Sequence, residues 1–138
     1  MFPFGNDEAK KFDENLASLE KIEYKTGAFR GGNETRTYTF EKDRVKKVVD
    51  IFCGNNSPKP VVYDPYAKDE FIKGLKAFEI GKWKKTYNDP RALDGWFWEL
   101  KFEYAGEISS VTYHGSNAYP KNYKDFEKFM KAGEKKPE

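Results

Sequence analysis

The sequence predicts an α+β protein, with an antiparallel sheet of about five strands in the order β-β-β-α-β-β-α and two helices packed on one face. Three observations support this prediction. The run Trp96–Tyr104 alternates between two sets of side chains, which is typical of a strand with one buried face. An apolar series at helical spacing follows Pro65. Short turns, rather than helices, join the strand-like runs, which favours hairpins.

The first part of the chain contains three strand-like runs. Ile22 and Tyr24 alternate with charged residues, and Arg36–Phe40 shows the same alternation. A glycine-rich stretch lies between these runs, so they predict a hairpin. In Arg44–Phe52 the valines also fit helical spacing. The β-branched content of this segment favours a strand, and we predict a third strand here.

The chain length of 138 residues is typical of a single domain. We expect residues 1–17 to form a loosely held N-terminal arm, with a short helix over Asp7–Leu16. Residues 18–133 are predicted to form one α+β domain, and the charged tail 134–138 is expected to fray.

Two amphipathic helices are predicted. Asp64 is expected to cap the first helix, which runs over Pro65–Phe78 with Gly81 as its stop. Asn122 is expected to cap the second helix. The apolar residues at helical spacing are Phe71, Ile72, Leu75 and Phe78 in the first helix and Tyr123, Phe126 and Met130 in the second.

The strand Trp96–Tyr104 is expected to bury its even-numbered side chains beneath the two helices and to leave the odd-numbered ones in water. Ala105 and Gly106 can form a two-residue hairpin loop after this strand. In that register the cross-strand partners are Tyr104 with Glu107, Leu100 with Val111, and Trp98 with Tyr113.

Charge and composition exclude several classes of protein. The chain has 25 Lys and Arg against 23 Asp and Glu, and both signs are interleaved, so no strong attraction to nucleic acid is expected. A single cysteine, Cys53, and a single histidine, His114, cannot build a disulfide or a structural zinc site, and neither stands in a catalytic motif. No membrane-spanning stretch or secretory signal is visible, so we expect a cytoplasmic protein without a cofactor.

Two segments carry a distinctive pattern, WKKTYNDPRALDGWFWEL at 83–100 and GSNAYPKN at 115–122. In these segments the chain resembles a group of small uncharacterised bacterial and phage-associated proteins. Members of that group share a tryptophan, a tyrosine, Leu-Asp-Gly, an amphipathic strand and a Gly-x-Asn-x-Tyr-Pro-x-Asn segment. The likeness covers roughly residues 71–129. It implies an α+β fold and no particular activity.

Asp94, Glu99 and Lys101 are the sharpest catalytic candidates. An acid followed by Glu-x-Lys on a strand resembles the skeleton of the PD-(D/E)xK nucleases, in which two carboxylates hold a divalent metal and the lysine orients the attacking water. Asp89 is an alternative first acid. Alternating charges are also expected on the polar side of a half-buried strand. We favour that explanation and expect no metal site.

The segment 82–87 is a second candidate for contact with nucleic acid. Lys82, Lys84 and Lys85 are interleaved with the rings of Trp83 and Tyr87, which suits binding to a single strand through stacking and phosphate contacts. We favour a structural explanation, in which both rings pack under a helix and the lysines extend to solvent.

The sequence therefore predicts a non-catalytic protein-binding module, of the immunity-protein or phage-borne inhibitor kind, rather than an enzyme. The chain has more aromatic residues than one core readily hides, and tyrosine and tryptophan are favoured as interface anchors. Another protein is the expected partner. The alternatives are a nucleic-acid-directed protein, as nuclease or single-strand binder, and self-association. The predicted contact residues are Phe29, Arg30, Tyr63, Tyr66 and Phe97.

Overall fold

The computed structural model describes residues 4–28, 31–55, 57–63, 65–90 and 95–134, and this part of the chain has an α+β fold, as predicted. It contains one sheet of eight strands and three α-helices, more than the five strands and two helices expected. The helices are α1 (Phe4–Asn15), α2 (Lys68–Lys76) and α3 (Tyr123–Met130). The strands are β1 (Leu19–Ala28), β2 (Asn33–Phe40), β3 (Arg44–Phe52), β4 (Val61–Val62), β5 (Tyr66–Ala67), β6 (Thr86–Asn88), β7 (Trp96–Tyr104) and β8 (Val111–Ser116).

The strands follow the order β4-β3-β2-β1-β7-β8-β6, and β5 also pairs with β3. All pairs are antiparallel except β6 with β8. The predicted strand Arg44–Phe52 is confirmed as β3 with the same bounds. The unpredicted strands β4, β5 and β6 are only two or three residues long, too short to show a periodic pattern. None of the helices within the described ranges is long and apolar enough to cross a membrane.

All three helices pack on one face of the sheet, which we call the inner face. Its buried side chains include Tyr24, Tyr38, Leu100 and Tyr113. The ring contacts that join each helix to it are Phe12 with Phe102 at 5.0 Å, Phe71 with Tyr38 at 5.5 Å, and Phe126 with Tyr24 at 5.5 Å between centroids. Such pairs contribute about 0.5–1.5 kcal/mol each beyond the area they bury.

The N-terminal segment belongs to this core. Helix α1 begins before the predicted Asp7, buries Phe12, and is followed at once by the fully buried Leu16. Since these two apolar residues are four positions apart, they lie on the same side of the segment and anchor it together. This packing differs from the loosely held arm that we expected.

Helix α2 begins later than predicted. We expected it to start at Pro65, but Tyr66–Ala67 instead pairs with β3 as β5, and the helix starts at Lys68. The expected cap Asp64 lies outside the described residues. The helix ends at Lys76, before the predicted stop at Gly81.

The hairpin of β7 and β8 exists, but the predicted register is wrong. Leu100 lies opposite Tyr113, and Phe102 lies opposite Val111, which is two residues away from the predicted pairing. The connection spans residues 105–110, and the Ala105 N–H donates to the carbonyl oxygen of Ser18 at 2.8 Å. A shift of two residues leaves every side chain on its predicted face.

A buried charged cluster holds the C-terminal end of α3. Arg36 and Lys47 lie on the inner face and are only 3% and 1% exposed. Arg36 donates from Nε and Nη2 to the carboxylate of Glu134 at 2.8 and 2.9 Å, and Lys47 Nζ contacts the same carboxylate. Tyr38 Oη and Lys47 Nζ donate to the carbonyl oxygen of Met130 at 2.6 and 2.7 Å. These hydrogen bonds satisfy the carbonyl oxygen of Met130 at the C-terminal end of α3, where positive charge is favoured.

Glu134 is the first residue of the tail that we expected to fray, yet it is held firmly. Burial alone would raise the pKa of Glu134. The hydrogen bonds and charges of Arg36 and Lys47 outweigh burial, so the pKa lies below its usual value. The carboxylate is therefore ionised at neutral pH and balances two buried cations.

We expect Glu134→Gln to reduce the free energy of unfolding by about 3 kcal/mol, because it leaves the buried Lys47 without its anion and leaves Arg36 with only the more exposed Glu34. Glu127→Gln is the matched control. Its carboxylate forms only an exposed pair with Lys131, so we expect a change of about 0.5 kcal/mol or less. Urea unfolding followed by circular dichroism measures both. Equal effects of the two changes would contradict a stabilising role for the cluster.

The cluster also predicts a pH dependence. A carboxyl group with a lowered pKa in the folded state contributes stability above its unfolded pKa of about 4.5 and loses it as the pH falls through the folded value. The stability difference between the wild type and Glu134→Gln should thus be full at neutral pH and shrink below pH 4.5. Urea unfolding across this range tests it, and a constant difference would show that Glu134 is not ionised in the native state.

Candidate functional site

Trp96 lies on the inner face, but no helix covers it. Trp98, Leu100, Phe102 and Tyr104 are buried as the alternation predicts, whereas Trp96 is 61% exposed. The prediction that Trp96 is buried is therefore wrong. Helix α3 covers Trp98, the next inward position of β7, and leaves the first residue of that strand open.

A groove of about 730 Å³ lies between α3 and this uncovered strip of the sheet. Its sheet side is formed by Thr26, Glu34, Trp96 and Phe97. The opposite side comes from α3 and the segment before it, where Tyr119 is 43% exposed. We call this feature the Trp96 groove.

Asn117 fixes the backbone at Trp96. The Asn117 N–H donates to the carbonyl oxygen of Trp96 at 2.9 Å, and its Oδ1 accepts the N–H of Trp96 at 2.9 Å. Asn117 has a φ of 57°, a left-handed conformation that asparagine adopts more readily than most residues. A Cβ at Gly95 would lie 1.7 Å from Oδ1 of Asn117, which explains the glycine before Trp96. The Trp96 indole is thus carried on a fixed backbone.

Trp98 positions the other side of the groove. Its Nε1 donates to the carbonyl oxygen of Ala118 at 3.0 Å. A Cβ at Gly115 would lie 2.2 Å from that nitrogen and 2.6 Å from the same oxygen, so only glycine lets the chain pass over the indole. The segment then brings Tyr119 to the start of α3, where its ring centroid lies 4.7 Å from that of Tyr123. The Gly-x-Asn-x-Tyr-Pro pattern therefore builds the wall of the groove.

Some of the charged side chains that line the groove form ion pairs and others do not. Its two ion pairs are Glu34 with Arg36 at 2.8 Å and Glu127 with Lys131 at 3.5 Å. Lys121 and Lys124 also line the groove, and neither forms an ion pair with any residue that the structure describes. The uncompensated charge of this surface is therefore positive and lies near Tyr119.

Apolar surface continues from Trp96 to the end of β3. Phe52 is 58% exposed, Ile51 is also exposed, and both line a smaller cavity together with Trp96. Ile51 lies opposite Glu34 across the strands, so this surface adjoins the floor of the Trp96 groove. A contiguous apolar patch of this kind is typical of an interaction site.

Of the contact residues predicted from the sequence, Phe97 borders the Trp96 groove, but its ring lies over Gly27 on the outer face of the sheet. Tyr63 and Tyr66 are half-buried beside β3 instead, where the Lys47 ammonium lies 5.5 Å from the ring centre of Tyr63 and the Tyr66 ring packs against α2. Residues 29–30 lie outside the described part of the chain.

Two of the nuclease candidates, Glu99 and Lys101, lie away from the groove. Glu99 and Lys101 point to the outer face, where Glu99 is opposite Lys25 and Lys101 is opposite Glu23. This alternation across strands is what a solvated charged face requires. Asp94 lies outside the described residues. Among the residues that are described, no group of three His, Cys, Asp or Glu side chains could hold a metal ion.

In the segment 82–87 the aromatic rings are packed inward. Trp83 is buried, contacts the ring of Trp98, and donates from Nε1 to Oδ1 of Asn122 at 3.1 Å. Tyr87 is half-buried, with its ring centroid 5.9 Å from that of Trp98. Lys82, Lys84 and Lys85 are exposed. Trp83 therefore has no free ring face on which a base could stack.

A second cavity, of about 490 Å³, lies between α1 and the loop 105–110. The rings in its lining, those of Phe12, Tyr104 and Tyr113, are buried parts of the core. The Trp96 groove, in contrast, presents two exposed rings, and two of its cations form no ion pair with the described part of the chain. It is therefore the candidate functional site.

Sequence reasoning missed Trp96 and Tyr119 as surface residues. Alternation predicts that Trp96 is buried, and the Tyr-Pro pair predicts only an extended residue before the helix at Tyr119. The signal that could have found them is the motif itself, since Asn117 and Gly115 constrain the chain exactly where both rings are presented.

Exposure of Trp96 can be measured directly. We expect Trp96→Phe to remove most of the iodide-quenchable tryptophan fluorescence, because Trp83 and Trp98 are 9% and 1% exposed. Trp83→Phe is the control and should leave that quenching intact. Persistent quenching in Trp96→Phe, with an unchanged circular dichroism spectrum, would show that another tryptophan is at the surface.

The chain matches no protein-family model, no curated protein and no solved structure. The geometry of the Trp96 groove is therefore the basis for a functional proposal.

Proposed function

We propose that this chain is a non-catalytic protein-binding module and that the Trp96 groove is its contact surface. The observation that carries this proposal is the exposed indole of Trp96, held on a hydrogen-bonded backbone, with the exposed Tyr119 on the opposite side of the groove. Tryptophan and tyrosine dominate binding hot spots because they bury a large area and lose little conformational freedom.

The surface around Trp96 combines apolar and charged side chains, as protein–protein interfaces do. Apolar side chains extend from Trp96 to Phe52, and charged side chains also line the groove. The two hydrogen bonds from Asn117 fix the backbone of Trp96 in the unbound protein, which lowers the entropy cost of association. A partner that inserts a side chain beside Trp96 would therefore gain most of its contact energy at one place.

The kind of module that we propose is a bacterial immunity protein or a phage-encoded inhibitor. Such proteins act by covering a surface of their target and need no chemistry of their own. An aromatic side chain on a fixed backbone, with charged side chains in the same groove, suits this mode of action, because contact alone can then give both affinity and selectivity.

Photo-crosslinking in the cell that carries this chain tests the proposal. With p-benzoylphenylalanine at position 119, we expect a discrete adduct with another protein, because Tyr119 lines the groove. The same amino acid at position 99 is the control, since Glu99 is exposed on the opposite face of the sheet. Adding Trp96→Ala should reduce the adduct from position 119 about tenfold or more.

Three outcomes would contradict the proposal. The two positions could give equal adducts, which would indicate random collision. Position 119 could give none at all. The adduct could instead have the mass of two copies of this chain, which would indicate self-association.

A further inference from the structure

We infer that the Trp96 groove binds an acidic protein segment, in which an apolar side chain is flanked by carboxylates. This inference rests on the proposed function and adds the chemistry of the partner. It depends on three features of the same surface: the exposed ring of Trp96, the absence of an ion pair at Lys121 and Lys124 among the described residues, and the start of α3, which has no side-chain cap.

The charges of the groove favour a negative ligand. Both groove carboxylates already have cationic partners, because Glu34 is paired with Arg36 and Glu127 with Lys131. The remaining cations, Lys121 and Lys124, have no ion-pair partner among the residues that the structure describes. Carboxylates on a ligand can pair with these lysines without displacing an existing pair.

The start of α3 adds to this positive rim. Asn122 stands at the N-cap position, but its side chain makes no cap hydrogen bond. Its Nδ2 donates instead to the carbonyl oxygen of Phe78 at 2.8 Å, and its Oδ1 accepts from Trp83. The first turn of α3 contains one acid, the exposed Asp125, which does not line the groove. Asp125 offsets part of the partial positive charge of the helix start, and what remains adds to the charge of the two lysines.

The two lysines lie next to the rings of the groove in the sequence as well as in space. Lys121 is two residues after Tyr119, and Lys124 directly follows Tyr123. A ligand side chain that lies against Trp96 and Tyr119 therefore has neighbours in its own chain within reach of an ammonium group. This arrangement fits an apolar residue with acidic neighbours in the same segment.

Single-stranded nucleic acid also combines rings with negative charge, but the groove suits it less well. Glu34 lies on the floor and Glu127 on the wall. A continuous phosphate backbone would have to pass both carboxylates, whereas a protein segment can place an apolar or uncharged group beside them. The net charge of the whole chain, +2, gives little attraction to a polyanion.

The emission of Trp96 provides the test, because Trp96 is the exposed one of the three tryptophans. The probe is a short peptide with Phe or Leu between Asp and Glu residues and without tryptophan. We expect saturable quenching or a blue shift on titration, and weaker binding at higher salt. The same peptide with Lys and Arg in place of the acids should not bind.

The charge-reversal variant Lys121→Glu/Lys124→Glu should bind the acidic peptide about tenfold more weakly or not at all. The matched control is Lys73→Glu/Lys76→Glu, which changes the net charge equally on exposed residues of α2 and should bind like the wild type. Equal loss in both variants would overturn the inference, because it would reflect net charge alone. Tighter binding of oligo(dT) than of the acidic peptide would also overturn it.

The two proposals can fail separately. If the adduct from position 119 depends on Trp96 but not on Lys121 and Lys124, and the acidic peptide does not bind, the protein-binding function stands and the acidic ligand is wrong. If the adduct is absent, the proposed function itself fails, whatever the peptide does.

Discussion

The contact of Glu134 with Arg36 and Lys47 determines where α3 lies on the sheet. Two buried cations need an anion close by, since a buried charge without a partner is strongly destabilising. Lys47 and Tyr38 also hold the last carbonyl oxygen of the helix. Helix α3 therefore cannot slide along the inner face without breaking several hydrogen bonds at once, and its end is fixed relative to β2 and β3.

The groove follows from this fixed position. Helix α3 has eight residues, and a helix of that length is about 12 Å long, so it cannot cover a strand of nine residues from end to end. At its start, Tyr123 reaches Trp98 but not Trp96. The inward-facing tryptophan at the beginning of β7 is left as open surface, and the turn through Asn117 holds it there. The proposed binding surface therefore lies where α3 no longer covers the inner face of the sheet.

Local sequence signals predicted much of the fold. The bounds of β3, the alternation of β7 and the apolar spacing of α3 depend on residues close together in the chain, so they can be read from it. Alternation assigns a side chain to a face of a strand, but it cannot say whether a helix lies above that position. For this reason Trp96 and Trp98, which lie on the same face of β7, differ in exposure: Trp96 is exposed and Trp98 is buried. The predicted register of β7 with β8 is wrong because Ala105-Gly106 suggests a two-residue loop, whereas the connection has six residues, 105–110.

The buried charged cluster of Arg36, Lys47 and Glu134 also shows what local sequence patterns cannot predict. Arg36 is in phase with Tyr38, and Lys47 is in phase with the buried Val45 and Val49, so the pattern already places both cations on the inner face. Their partner, however, is 98 residues from Arg36, and no local pattern links them. An inward-facing cation in a strand implies that an anion must come from elsewhere in the chain. In this protein Glu134 fixes the position of α3. Because α3 covers Trp98 but ends short of Trp96, Trp96 is the tryptophan that stays exposed.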